Sequence, residues 1–247
     1  MFEVTVKSDV LKEMVKVLNT LLNEVKLVIS PDAITVRAVD PSHVAMIDLE
    51  LTKEACLTFE AGDLELALDL PRFNDFLNIA GHGEEISLRY DEEMNVLFAT
   101  IGAIKRKLSL LDPSEIKIQK MPQLKLENFV EVGTKSLKRG IKAAKEVGTY
   151  LTVTLEPESA DFSSKGDIDA VNFLLTKDMC EKLHAEERSR SMFSLKYFEK
   201  LVSAVPDASE TITLWVGNDI PVKAEFKLAA GKGSVTFLLA PRIMDSD

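Results

Sequence analysis

The segment from Lys135 to Glu146 concentrates the residues of this chain that are best suited to bind an anion. Basic side chains follow one another there at Lys135, Lys138, Arg139, Lys142 and Lys145. Apolar residues recur between them at a helical spacing, at Leu137, Ile141 and Ala144. A helix with this pattern buries one side and presents ammonium and guanidinium groups on the other, where they can bind phosphate oxygens. The competing interpretation is an ordinary solvated helix face, which is the usual origin of a charge run.

Patterns typical of catalytic and metal sites are absent from the sequence. Its three histidines, His43, His82 and His184, are scattered, and its two cysteines, Cys56 and Cys180, form no CxxC pair. There is no GxSxG, P-loop or GxGxxG motif, and adjacent carboxylates such as Glu84-Glu85 fall in predicted turns. We predict no cofactor, no metal and no catalytic residue. An enzyme with an unrecognised pair of carboxylates stays as the second hypothesis.

The composition of the chain limits its class and surroundings. The 247 residues carry a formal charge of −10, and 46% of them are hydrophobic. This is typical of a soluble globular protein, and the acidic excess argues against a surface that coats nucleic acid everywhere. Two distant cysteines favour a reduced intracellular compartment over a disulfide framework. Because no apolar run reaches membrane-spanning length and the N-terminus reads as a strand, we expect an intracellular protein without membrane association.

Hydrophobic periodicity predicts the same order of elements in both halves of the chain. The first half is predicted to contain a strand at 2–7, a helix from 8 or 9 to about 23, strands at 26–30, 33–38, 44–51, 54–60 and 65–69, a helix at 71–80, and three strands between 85 and 111. The second half is predicted to contain a strand at 128–132, a helix at 135–146, strands at 150–155, 159–164 and 167–176, a helix at 195–205, and strands at 210–216, 222–228 and 234–239. The charged segment 178–191 is predicted to be loop or irregular strand.

This order indicates an internal duplication. Leu11 matches Leu137 at an offset of 126 residues, and Arg72 matches Lys196 at an offset of 124. We therefore predict two similar α+β domains, at 1–111 and 127–247, joined by a linker at 112–126 that contains two prolines. The few amphipathic helices of each domain must lie on one face of its sheet.

Several short motifs resemble those of one known family. They are the stretch from Ala38 to Ala45, the C-terminal Leu239-Ala240-Pro241-Arg242-Ile243, the opening Met1-Phe2-Glu3 and the run Leu110-Leu111-Asp112. Together with the duplicated layout, they resemble the DNA sliding clamps of the proliferating cell nuclear antigen family over essentially the whole chain. The short tail after Ile243, and Phe237-Leu238 where eukaryotic clamps usually have tyrosines, are more similar to archaeal members.

The resemblance implies a DNA-clamp fold, in which three two-domain subunits form a closed ring with helices lining the hole and antiparallel sheets outside. Such a ring is a DNA polymerase processivity factor that encircles duplex DNA without reading its sequence. It tethers DNA polymerase, clamp loader, flap endonuclease and DNA ligase through short interaction motifs. The implied location is with the chromosomal DNA, in the cytoplasm if the source is archaeal. Rings of identical subunits and rings of unlike subunits both fit the sequence.

The resemblance assigns DNA contacts to basic residues on the outward faces of the four predicted helices. These are Lys12, Lys16, Arg72, Lys138, Arg139, Lys142, Lys145, Lys196 and Lys200. The potentials of several such helices add when they face one hole. The second domain is expected to dominate, because Asp9, Glu13 and Glu24 offset the basic residues of the first helix region.

The resemblance also implies two protein-contact surfaces. A hydrophobic docking groove for partner motifs is expected at Val39, His43, Val44, Leu124, Leu126, Pro221, Leu238, Ala240 and Pro241, although His43 has a purely structural role as its alternative. A head-to-tail subunit joint is expected between edge strands, at Lys105, Arg106, Lys107, Leu108, Leu110, Asp167, Asp169 and Phe173. The alternative for the charged members of this joint is solvation within one chain.

Overall fold

The structure is a computed structural model that describes residues 1–243. The chain divides into two compact units. The first comprises Met1–Pro41, Ile47–Lys120 and Lys227–Val235, and the second comprises Ser42–Met46, Met121–Phe226 and the residues from 236 onwards. The periodicity of the sequence did not predict this exchange of short segments. The domain limits at 111 and 127 remain a prediction from the repeat.

Both units combine two helices with antiparallel strands, so the predicted α+β class is confirmed. The helices are α1 (Ser8–Asn19), α2 (Leu70–Leu77), α3 (Thr134–Lys145) and α4 (Leu195–Ala204). The strands are β1 (Phe2–Lys7), β2 (Glu24–Ile29), β3 (Ala33–Val39), β4 (Ala45–Thr52), β5 (Cys56–Ala61), β6 (Leu64–Asp69), β7 (Glu85–Asp91), β8 (Val96–Ile101), β9 (Ile104–Ser109), β10 (Phe129–Gly133), β11 (Tyr150–Glu156), β12 (Ser159–Lys165), β13 (Ala170–Thr176), β14 (Lys182–His184), β15 (Ser189–Ser194), β16 (Thr211–Trp215), β17 (Val222–Leu228) and β18 (Gly233–Leu239).

In the first unit, a five-stranded sheet has the order β5-β1-β7-β8-β9, and β2 pairs with β3 and β6. Helices α1 and α2 pack beside each other and bury Leu11, Val15 and Phe76. Pro71 fits the first turn of α2, and the Asp69 side chain caps it by accepting the Arg72 amide at 2.9 Å.

Helix α1 is shorter than the predicted helix, which extended to about residue 23. It ends at Asn19, although Leu21 and Leu22 after it are still buried. The Asn23 carbonyl accepts the Leu70 amide at 2.8 Å, so the chain has by then turned toward β2. The apolar periodicity continued because these leucines pack in the core without belonging to the helix.

In the second unit, a four-stranded sheet has the order β13-β12-β11-β15, and β10 pairs with both β14 and β16. The segment 178–191, predicted to be loop or irregular strand, contains β14 and the start of β15, and β15 pairs with β11 over six residues. The inward positions of β15 that fall in this segment are Ser189 and Ser191, and the Ser191 Oγ donates to the Gly217 carbonyl at 2.7 Å. Because these two buried positions are serines, residues 189–191 give no hydrophobic alternation, which explains the irregular prediction.

Helix α3 packs closely on strand β13 because Gly140 has no side chain. A Cβ added at Gly140 would lie 2.3 Å from the Phe173 ring.

We expect Gly140→Ala to lower the free energy of unfolding by about 1–2 kcal/mol, because overpacking costs about 1–3 kcal/mol and exceeds the gain in helix propensity. Thermal or urea unfolding measures this change. Gly133→Ala is the matched control, since nothing lies within 4 Å of its added Cβ. Equal stability of the two variants would contradict the close packing.

Candidate nucleic-acid interface and protein-contact surfaces

The basic face of the second unit is built by α3 and α4. Leu137, Ile141 and Ala144 are buried and fix the rotation of α3, which leaves Arg139 and Lys142 exposed on its opposite side. Lys196 is exposed on α4. Within residues 1–243, no carboxylate oxygen lies within 4.0 Å of the cationic groups of Arg139, Lys142, Lys196 or, in the first unit, Lys16. These four cations are therefore available for an external anion.

Two of the predicted DNA contacts have partners inside the protein. The Lys12 Nζ donates to the Ala80 carbonyl at 2.6 Å, just beyond the end of α2. The Lys138 Nζ donates to the Val205 carbonyl at 2.9 Å, just beyond the end of α4, and to Asp207 Oδ1 at 2.8 Å. Both lysines are the fifth residue of the first helix of their unit. A cation there satisfies carbonyls and the partial negative charge at the end of the second helix.

The internal contacts of Lys138 predict that its removal destabilises the folded protein. Lys138→Ala should lower the free energy of unfolding by about 1–2 kcal/mol, because hydrogen bonds to charged groups contribute about 1.5–3 kcal/mol and the Lys138 side chain is only 26% exposed. Chemical denaturation measures this loss. Lys142→Ala lies one turn away on the exposed face and should change stability by less than about 0.5 kcal/mol. If Lys138→Ala matched Lys142→Ala, the internal contact would have no stabilising role.

Three other predicted DNA contacts have a carboxylate or an aromatic ring beside them. The Lys145 Nζ pairs with Glu199 Oε1 at 2.7 Å, and the Arg72 Nε lies 3.5 Å from Asp69 Oδ2. The Lys200 Nζ lies 5.6 Å from the centroid of the Tyr197 ring. Lys135, at the start of α3, is exposed without an ion pair within residues 1–243, although it was left out of the predicted set. Its place in the basic run of α3 is the signal that could have included it.

The predicted docking residues differ in their accessibility. The Val44 carbonyl accepts the Ala240 amide at 2.9 Å, which joins the two motif segments in the second unit. His43 is exposed with a φ of 57° and forms no side-chain hydrogen bond within residues 1–243, so its structural alternative gains no support. Partly exposed side chains are found at Val39 in the first unit and at Leu124, Leu126, Pro221, Ala240 and Pro241 in the second. Leu238 is buried, so it supports the patch from within the core.

The predicted subunit joint needs several corrections on the first edge. Strand β9 is the outer strand of its sheet, as expected, and Lys105 and Lys107 are exposed with Arg106 half-buried beside them. Leu110 lies beyond β9, which ends at Ser109. Leu108 is only 7% exposed, because alternation turns it toward the core. Ile104, which is not among the predicted joint residues, is 47% exposed on this edge.

The second edge, β13, also differs from the prediction. The strand begins at Ala170, so Asp167 and Asp169 lie in the preceding turn, where the Gly166 amide donates to the Asp169 carbonyl at 2.8 Å. Phe173 faces inward, with its ring centroid 5.9 Å from that of Phe162. Leu174 points the other way and is 54% exposed. Because side chains alternate along a strand, a buried Leu175 implies that its neighbour Leu174 lies on the exposed face.

The described residues offer little for covalent or metal chemistry. Burial raises the pKa of the Cys56 thiol to about 11, which keeps it protonated near neutral pH. Among residues 1–243, no group of three or more His, Cys, Asp or Glu side chains is arranged to hold a metal ion. No helix in that range is long and apolar enough to cross a membrane.

Comparison with known proteins identifies the family. Models of the N-terminal and C-terminal domains of proliferating cell nuclear antigen match residues 1–123 and 120–242. The DNA polymerase sliding clamp of Methanococcoides burtonii is 38% identical, over 98% of this chain and 99% of its own length, and that of Methanocella arvoryzae is 36% identical over the same shares. The solved structure of A. fulgidus PCNA, bound to the C-terminal region of FEN-1, covers 100% of both chains with a TM-score of 0.93 at 25% identity. This chain therefore belongs to the proliferating cell nuclear antigen family.

Proposed function

We propose that this protein is a DNA polymerase sliding clamp, a non-catalytic ring that encircles duplex DNA and tethers replication and repair proteins. The observation that carries this proposal is its full-length match, at 38% identity, to a protein of that name. Such a clamp acts on chromosomal DNA. The helices line the hole of the ring and the sheets form its outer surface.

The DNA contact rests on the cations that have no internal partner. Arg139 and Lys142 on α3, with Lys196 and Lys16, supply phosphate contacts that are independent of sequence. Lys12 and Lys138 act mainly by holding the second helix of each unit in place. Because the chain carries a net charge of −10, direct affinity is weak and the ring is retained by its topology.

Ring closure rests on the two exposed edges. Strand β9 of one subunit pairs with β13 of the next, a head-to-tail contact that closes after three subunits. Ile104 and Leu174 supply apolar contacts, while Lys105 and Lys107 face the Asp167 and Asp169 turn of the neighbour. Rings of identical and of unlike subunits both fit this scheme.

Partner docking is proposed at the patch around His43, Val44, Ala240 and Pro241. Its support is the backbone hydrogen bond between Val44 and Ala240, which places the two motif segments side by side, and the FEN-1 segment bound by the A. fulgidus relative.

The double variant His43→Ala and Pro241→Ser should weaken binding of a FEN-1 C-terminal peptide more than about tenfold, as expected for central contacts. Calorimetric titration of the peptide measures the loss, and an unchanged trimer mass is the control. Full retention of peptide affinity would contradict the docking site.

The clamp function itself is tested by primer extension. On a long primed circular template, an archaeal DNA polymerase with a clamp loader should make longer products per binding event when this protein is added. The same reaction without the loader should show little change, because a closed ring must be opened onto circular DNA. Product lengths that never respond to the protein, with several archaeal polymerases and loaders, would contradict the proposal.

A further inference from the structure

A cavity in the first unit lies between helix α2 and the edge strand β9. It has a volume of about 120 Å³, and its apolar lining consists of the buried side chains of Leu68, Phe73 and Leu108. Its charged lining residues are Asp69, Arg72, Arg106 and Lys107. Asp69 is already engaged by Arg72, whose amide it accepts and whose Nε lies 3.5 Å from its Oδ2. The cavity therefore keeps an excess of positive charge.

Arg106 is the cation of this cavity that lacks an internal partner. It is half-buried on β9, and among residues 1–243 no ion pair or hydrogen bond engages its guanidinium group. A guanidinium group has five N–H donors, and removing it partly from water is unfavourable unless an acceptor replaces the lost hydration. Carboxylates match it in shape and charge, because they accept two of its donors at once. The cavity is therefore suited to a carboxylate from outside the subunit.

Strand β13 corresponds to β4 in the internal repeat of the chain. Both strands lead into the same motif, which reads TKEAC at Thr52 to Cys56 and TKDMC at Thr176 to Cys180. A short 3₁₀ turn occupies the same place in both motifs. The offset between them is 124 residues, so Asp169, just before β13, corresponds to Ala45 at the start of β4.

Strand β9 corresponds to β18 by the hydrogen bonds that follow each strand. In the first unit the Leu111 amide donates to the Ala67 carbonyl at 2.9 Å, and Ala67 lies three residues before α2. In the second unit the Arg242 amide donates to the Met192 carbonyl at 2.6 Å, and Met192 lies three residues before α4. Leu111 and Arg242 therefore occupy equivalent positions. Three residues earlier, both strands carry a buried leucine.

Strands β4 and β18 are antiparallel in the chain. In the second unit, the Ala240 amide donates to the Val44 carbonyl at 2.9 Å. Ala45, the next residue on β4, therefore lies opposite Leu239, and both of these side chains are buried. This register is the pattern that the equivalent strands β13 and β9 are built to repeat.

We propose that the ring joint repeats this register between two copies of the chain, so that Asp169 of one subunit enters the cavity of the next and pairs with Arg106. Asp169 takes the place of Ala45, and Leu108 in the cavity wall takes the place of Leu239. The Asp169 side chain is exposed, and no ion pair or hydrogen bond engages it among the described residues. Its carboxylate supplies the acceptor that the cavity lacks. The assignment rests on the proposed ring and on its joint between β9 and β13.

The two halves of this ion pair lie on opposite edges of the same chain. A ring of identical subunits therefore satisfies Arg106 at each of its joints, in the head-to-tail manner that closes a ring. An ion pair partly enclosed by the cavity is screened by salt less than contacts of the exposed Lys105 and Lys107. The isolated chain should thus assemble without a second kind of subunit.

The test reverses the charges of the pair. Arg106→Glu and Asp169→Arg should each weaken the association of subunits at least about a hundredfold, because each places like charges in the joint. The double variant carries the reversed pair at every joint and should recover at least about tenfold of that loss. Arg106→Gln, a milder change, should weaken association about tenfold. Sedimentation velocity of the intact chain over a concentration series measures the trimer fraction, and far-UV circular dichroism checks the fold.

The matched control combines Asp169→Arg with Lys105→Glu. It makes the same change of net charge on the same strand, but Lys105 does not line the cavity. This control should not recover the trimer. Three results would overturn the ion pair: recovery in the control equal to that of the Arg106 double variant, a double variant as weak as the single ones, or single variants that stay trimeric.

These results are distinguishable from a failure of the proposed ring. If the parent protein is a monomer at every concentration, the ring itself is wrong. If the parent is a trimer that Ile104→Glu disrupts and the charge reversals do not affect, the clamp and its β9 edge stand, and only the pair between Asp169 and Arg106 fails.

Discussion

Replacing Ile104 or Leu174 with glutamate should convert a trimeric ring into monomers. Both side chains are about half exposed on the outer strands β9 and β13, where each ring contact would bury one of each. An unpaired carboxylate buried in such a joint costs several kcal/mol, and every 1.4 kcal/mol lowers the association constant tenfold. A loss of three orders of magnitude or more is expected for each contact. Sedimentation velocity measures the change in mass directly.

Two comparisons make the edge prediction specific. Leu57→Glu changes a similarly exposed leucine on β5, the opposite edge of the same sheet, and should leave the trimer intact. Leu108→Glu should also lose the trimer, but for another reason: Leu108 is buried, so the thermal unfolding transition of the first unit should be lost with it. Ile104→Glu and Leu174→Glu should keep that transition. Trimers that persist in both edge variants would show that other surfaces close the ring.

The double variant Arg139→Ala and Lys142→Ala should weaken direct binding to duplex DNA by about tenfold to a hundredfold at low salt. Each lost phosphate contact lowers the slope of log K against log salt by about 0.9, so a shallower salt dependence should accompany the loss. Stability and trimer mass should stay unchanged, because both side chains are exposed and alanine favours helix. Fluorescence anisotropy with a short duplex across a salt series measures both quantities.

The matched control for this charge removal is Lys117→Ala with Lys120→Ala. These two exposed lysines lie outside the four helices and carry the same total charge. They should leave the salt slope unchanged, which separates a local effect from one of net charge. A second comparison is Arg139→Lys with Lys142→Arg, which should bind like the parent because phosphate contacts without base readout need only charge. If the alanine double variant had the parent slope, the exposed face of α3 would not contact DNA.

Features that depend on a single element were predictable from the sequence. The helix predicted at 135–146 is observed at Thr134–Lys145, because its apolar spacing and basic face are properties of twelve consecutive residues. The duplication was predicted for a similar reason, since each half repeats the same periodicities. The family motifs placed Val44 and Ala240 on one surface, and their backbone groups are indeed hydrogen-bonded.

Features that depend on distant partners were not predictable. The partner of Lys138 is 67 residues away, so nothing in the local charge pattern distinguishes this lysine from Lys142. Strand β15 buries Ser189 and Ser191, whose suitability for a core depends on acceptors and cavities supplied by other loops. Leu108 and Ile104 lie on the same side of β9, and they differ in exposure because Ile104 pairs with Ile101 at the end of the hairpin, whereas Leu108 pairs with the buried Leu97.

The most direct test of the central claim is whether the protein is held on DNA by encirclement. The protein is loaded onto a closed circular plasmid by an archaeal clamp loader, the complex is isolated by gel filtration at moderate salt, and the plasmid is then cut once with a restriction enzyme. A sliding ring should stay with the circle and leave within minutes of the cut, and blocked ends on the linear DNA should restore its retention. Protein that stays equally bound to circular and open-ended linear DNA would contradict encirclement.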